Sequence, residues 1–250
     1  MVKCFHLYKT YLPYYHNVII YRQTLFSSIL RAGEYEYPFD EGSPEWRNLS
    51  VEERHSMRQI PNQDLATIDT DMLVSAYVNN PYCSLIFAHN TINLGFNRVY
   101  NEFNGLRELM NRPDAGEKIL AYYEEMNVND LNQNWSEYEK GNFTFKFIYI
   151  EVLLSQPQIL NQLSDQQSKR LIGELINKYN VKNDHIAEHS GFGLSYTTYS
   201  MAKYLMNKNK LFEAPPPMDN ELQHFLDLGV RLKADMAPYI LQRANLNLVD

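Results

Sequence analysis

Cysteine is nearly missing from this chain. Only Cys4 and Cys83 occur in 250 residues, so a disulfide framework is excluded. Cys83 sits in an apolar stretch and reads as a buried thiol. Glycine and proline are also sparse, at 10 and 11, which removes collagen-like and disordered readings. No apolar run approaches the ~20 residues that a membrane-spanning helix needs. Basic residues are outnumbered as well, with 23 Lys and Arg against 30 Asp and Glu and a net charge of −7. A nucleic-acid binder requires a basic stripe to displace counterions, so nucleic acid is not an expected partner. Docking on an anionic membrane is disfavoured for the same reason.

The charge is placed unevenly. Residues 1–33 carry Lys3, Lys9, Arg22 and Arg31 and no acid, and the rest of the chain has a balance of −11. This marks residues 1–34 as an atypical N-terminal extension ahead of a helical domain at 35–250. Its apolar runs, Val18 to Tyr21 and Leu25 to Leu30, are short or broken by serine. A secretory core wants ~7–15 apolar residues. The extension therefore reads as a degenerate export signal or a mis-assigned start, and Met1 as the true start would place the protein in the cytoplasm.

What is present is helical periodicity. Tyr35 to Pro44 reads as extended chain and turn. Ser50 with Glu53, and Ser164 with Gln167, have the spacing of capping boxes. Pro61 suits the first turn of a short helix. Asp69 or Thr70 is placed to start a helix that Asn79-Asn80-Pro81 ends. Ile92, Phe96, Val99, Tyr100 and Phe103 recur at helical spacing, with a bend expected at Gly105. Further helices are expected over 114–126, 143–154, 165–179 and 194–206, and a last one from Glu221 to Leu232 before Pro238 breaks the tail. Pro215 to Pro217 form a rigid spacer. About eight helices and no strand pattern predict an all-α fold, either a single multi-helix bundle or a short array of helical hairpins.

The sharpest chemical motif is His185-Ile186-Ala187-Glu188-His189, an H-x-x-E-H pattern. On a helix its histidines share a face and suit Zn²⁺, with Glu188 as general base. Asn183-Asp184 before it and Ser190-Gly191 after it place the motif in a loop instead, with both histidines exposed. Gly193-Leu194-Ser195 lacks the second glycine of a nucleophile elbow, and no phosphate or dinucleotide fingerprint occurs. No cofactor is expected. Nineteen tyrosines and two tryptophans are candidates for a stacking platform. Tyr35, Tyr37, Trp46 and Trp135 lead them, because they fall in or near irregular segments.

From Tyr35 onward the chain resembles a group of uncharacterised helical proteins exported by gut bacteria. The segments that carry the likeness are Glu36-Tyr37-Pro38 with Glu45-Trp46, Gln59-Ile60-Pro61, Thr70 to Pro81, and Gly95-Phe96 through Leu109. Arg112 to Gly116, Phe147 to Glu151 and Gly191 to Leu194 continue it. The likeness covers about residues 35–207. It implies export and supplies no catalytic residue, because no activity is established for the group. Together these readings predict a non-catalytic exported helical protein that binds an unknown protein or glycan at the cell surface. A zinc-dependent hydrolase and an intracellular helical scaffold are the alternatives.

Overall fold

The computed structural model describes residues 35, 37, 39, 41, 43–212, 219–229 and 236–249. Expectations placed on residues 1–34, Glu36, Pro38, Pro215 to Pro217 and 230–232 lie outside these. The described residues form thirteen α-helices, two 3-10 helices and no strand, so the fold is all-α. The first helices are short: α1 (Pro44–Arg47), α2 (Val51–Met57), α3 (Asn62–Leu65) and α4 (Thr70–Val78). A 3-10 helix (Pro81–Ala88) follows, then α5 (Ile92–Glu102), α6 (Asn104–Asn111) and α7 (Ala115–Glu125). A second 3-10 turn (Val128–Asp130) leads to α8 (Glu137–Leu154), α9 (Pro157–Leu160), α10 (Asp165–Asp184) and α11 (Ile186–Asn207). Last come α12 (Asp219–Leu228) and α13 (Met236–Val249).

Side-chain caps set most of the starts. Ser50 with Glu53 and Ser164 with Gln167 form the expected capping boxes, and Ser136 with Glu139 forms a third. That third box begins α8 six residues before its apolar run. Asp69 caps α4 through the amide of Met72. Asp114 does not cap α7 with its side chain. Its carboxylate accepts from the Thr70 hydroxyl at 2.8 Å instead, which ties α7 to α4.

Eight of the nine residues of α4 are buried, as is every residue of α8 from Phe147 to Leu154. These two segments are the centre of the core. Around them α10 and α11 fold back on each other as a hairpin, with Lys208 returning to Asp165 at 3.8 Å. The hairpin closes at Ser190, whose φ of 57° and ψ of 169° split α11 into one turn and a long helix. The H-x-x-E-H segment therefore forms the helical turn before this break, where a loop is predicted, and α11 starts earlier than its apolar pattern.

Three further expectations are corrected. The bend near Gly105 falls at Phe103, whose φ of −111° and ψ of 114° separate α5 from α6. Gly105 is inside α6, where a Cβ would meet the Phe103 ring at 2.3 Å. The final predicted helix ends at Leu228, followed by Gly229 at φ 66°. Pro238 does not break the tail, because it lies in the first turn of α13, where a missing N–H costs nothing.

Candidate functional site

Two clefts open on either side of Phe87, which the 3-10 helix Pro81–Ala88 presents. The first has a volume of about 840 Å³. One wall is a stripe of α8: Tyr138, Asn142, Phe145, Lys146 and Tyr149. Their spacing of i, i+4, i+7, i+8 and i+11 puts them on one helical face. The other wall is the extended segment with Tyr35, Tyr37 and Phe39, joined by Ser84. This segment is anchored to α4. The Tyr35 amide donates to Ser75 Oγ at 2.9 Å. The Tyr37 hydroxyl donates to the Ala76 carbonyl at 3.0 Å and accepts from Asn80 Nδ2 at 2.6 Å.

The second cleft holds about 1070 Å³. Ile86, Ile92, Phe225 and Met236 give it an apolar floor, and Phe192 and Tyr196 of α11 stand at its side. His89, Thr91, Ser195, Glu221 and His224 are its polar groups. No hydrogen bond joins Ser195 to either histidine among the described residues.

The Phe87 ring connects the two. Its centroid lies 4.9 Å from that of Phe145 and 5.8 Å from Tyr149 in the first cleft. It lies 5.4 Å from Phe192 and 5.9 Å from Tyr196 in the second. Such tilted and edge-on contacts suit the ring quadrupoles. The ridge is accessible at its Phe192 end, where that ring is 46% exposed, and Tyr138 stands apart from it on the α8 wall, 78% exposed.

Of the four aromatic candidates, the structure brings Tyr35 and Tyr37 to the first cleft and leaves the tryptophans out. Trp46 is buried, stacked on Phe39 at 4.5 Å and covered by the Arg58 guanidinium. Trp135 packs against Phe143, which lies off the cleft stripe of α8.

The three residues of the H-x-x-E-H segment do not converge on one point. His185 is exposed, and Glu188 accepts from Gln133 at 3.0 Å. His189 is only 3% exposed, with its ring edge-on to Phe147; the prediction of two exposed histidines fails there. Among the described residues no group of three His, Cys, Asp or Glu side chains is placed to hold a metal ion. Burial lowers the His189 pKa to about 4, with Lys182 and His185 acting in the same direction and Glu188 opposing.

Behind the clefts lies a buried polar cluster that the motifs did not reveal. Glu151 of α8 and Lys182 of α10 form an ion pair at 2.6 Å, at 0% and 1% side-chain exposure. Glu151 Oε1 also accepts from the Tyr123 hydroxyl at 2.7 Å and from Thr197 at 3.0 Å. Desolvation lowers the Lys182 pKa, and the Glu151 carboxylate works against it. Burial and the same carboxylate raise that of Tyr123. The cluster opens into neither cleft, so its role is to hold helices together. Cys83 is likewise structural: its thiol donates to the Tyr77 carbonyl at 3.0 Å, and burial pushes its pKa up.

The cleft residues that the sequence patterns did not single out are Phe87, Asn142, Phe145, Lys146, Tyr149, Phe192 and Tyr196. A signal existed for the α8 group, in the helical stripe that mixes aromatic and polar side chains. None existed for Phe87 meeting Phe192, which is a tertiary contact. Compared with known proteins, the chain matches no family model, no curated protein and no solved structure. No helix among the described residues is long and apolar enough to cross a membrane.

Proposed function

We propose that this chain is a non-catalytic helical binding protein that takes its ligand in the clefts flanking Phe87. The observation that carries the reading is the run of rings from Phe145 and Tyr149 through Phe87 to Tyr196 and Phe192. It is exposed at Phe192 and set between two concavities. Aromatic-lined concavities with a few polar groups are the usual form of a ligand site. The resemblance over residues 35–207 supports placing this binding outside the cytoplasm, at the cell surface.

The test is a thermal-shift panel of glycans and peptides on the full chain, repeated with Phe87→Ala and with Phe192→Ser at the exposed end of the ridge. A ligand present at a hundred times its Kd stabilises the native state by about 2.7 kcal/mol. Phe87→Ala is expected to abolish the shift, and Phe192→Ser to abolish it for a ligand of the second cleft. A ligand whose shift survives both, or one that is turned over into product, would overturn the reading.

A further inference from the structure

The first cleft has a chemical bias beyond its aromatic rings. We propose that it binds an anionic oligosaccharide, whose carboxylate or sulfate is held by Lys146 and whose sugar ring lies on the exposed Tyr138. This inference rests on the reading of the clefts as ligand sites and names the ligand class.

Three neighbouring groups on α8 have polar capacity that nothing among the described residues uses. Lys146 is half-buried in the cleft wall and makes no ion pair or hydrogen bond among the described residues. The side chains of Asn142 and Tyr138 make no hydrogen bond there either. Most other polar groups of the cleft are already engaged. Glu41 is paired with Arg58. Asn79 donates to the Tyr35 carbonyl, and Asn80 donates to Tyr37 and to the Arg58 carbonyl. Ser84 donates to the Pro81 carbonyl. With Glu41 paired, the Lys146 ammonium is the uncompensated charge among the described residues that line the cleft, in a chain that is acidic as a whole. A wall of this sign selects an anionic ligand group, and hydrogen bonds to a charged partner are the stronger kind.

The rest of the wall favours sugar. The faces of aromatic rings are electron-rich and attract the weakly positive C–H face of a pyranose. An amide such as that of Asn142 both donates and accepts, which suits vicinal hydroxyls. Tyr138, Asn142 and Lys146 follow each other at one helical turn, about 6 Å of rise per step, and so line up along a short oligosaccharide. A peptide is served less well. The described residues include no strand whose edge could extend it, and the amides of Asn79 and Asn80 are taken by the protein's own groups.

The experiment is isothermal titration calorimetry of the full chain with four probes: an oligogalacturonate, a sulfated galacto-oligosaccharide, a neutral galacto-oligosaccharide and an oligoglutamate peptide. At least one anionic sugar is expected to bind, more weakly as salt is raised, with the neutral sugar at least tenfold weaker. Lys146→Met should weaken the anionic sugar about tenfold or more, Lys146→Arg should preserve most of the affinity, and Tyr138→Ala should reduce it. Tyr138 is too exposed, and the Met stem too similar, for either change to unfold the protein, which an unaltered melting temperature would verify. Which anionic sugar binds separates carboxylate from sulfate. Neutral sugar binding as tightly as anionic, with Lys146→Met silent, would overturn the proposal while leaving the cleft as a ligand site. Binding of the peptide alone, or of none of the four probes, would also overturn it. In that case the broader reading is decided separately by the Phe87→Ala panel.

Discussion

Replacing Lys182 by Met tests the buried ion pair most directly. The substitution keeps the length of the aliphatic stem and removes the charge. Glu151, at 0% exposure, would retain only the hydroxyls of Tyr123 and Thr197 as donors. A buried carboxylate deprived of its cation costs about 3–5 kcal/mol, a large share of the ~5–15 kcal/mol that domains commonly have. The double variant Glu151→Gln/Lys182→Met leaves no charge to desolvate, so it should be more stable than Lys182→Met alone, although it has lost one more native group. Urea unfolding at neutral pH, followed by circular dichroism, measures both. A cost below about 1 kcal/mol, or a double variant as unstable as the sum of the two single changes, would refute the argument.

Two other outcomes follow from the packing. His189 is held neutral with a pKa of about 4, below the ~6.5 of the unfolded chain, so the unfolded state binds more protons between these values and stability falls with acidification. Urea midpoints should report a loss of about 2 kcal/mol between pH 6.5 and 5 from this group; His189→Leu should flatten that limb, and an unchanged pH slope would contradict the assignment. Gly95→Ala places a Cβ 2.3 Å from the Ile86 carbonyl oxygen and 2.6 Å from its Cα, which α5 and the 3-10 helix relieve only by moving apart, at about 1–3 kcal/mol. Gly141→Ala, with nothing within 4 Å of the new methyl, should instead stabilise α8 by up to ~1 kcal/mol, and thermal melts of the two variants should diverge in sign.

Helix positions were legible wherever a local chemical signal exists. Ser50, Asp69 and Ser164 act on amides three residues away, and that information lies within one turn. Phe103, Ser190 and Pro238 were misjudged because the decisive partner is remote or the backbone takes a conformation its residue type disfavours. Ser190 adopts a positive φ without being glycine, at the point where α10 turns back through α11. Nothing in the residue type announces it. Trp46 and Trp135 were chosen for their irregular surroundings, yet rings in irregular segments are as readily packed as exposed, and Arg58 over Trp46 is an example. The α8 stripe was overlooked for the opposite reason. The run from Phe143 onward has apolar residues on all sides, so attention goes to its burial and not to the one face that also carries Asn142 and Lys146.

That helix has two duties, and they explain the expensive interior. Its inner face supplies Glu151 to the buried cluster, and its outer stripe forms the wall of the first cleft. Helix α11 is used the same way, with Thr197 inside the cluster and Phe192 and Tyr196 on the second cleft. The Ser200 hydroxyl donates to the Glu151 carbonyl at 2.7 Å, adding a second lock between the two helices. Apolar packing alone would hold α8 on α11 through many nearly equivalent arrangements, whereas the cluster is satisfied in one register only. The rings of Phe145 and Tyr149 on one helix and Phe192 and Tyr196 on the other reach Phe87 together only in that register. A buried ion pair is weak evidence for stability as such. Here it fixes the geometry of the surface that the ligand would meet, as a site carried by helices requires of its supporting shell.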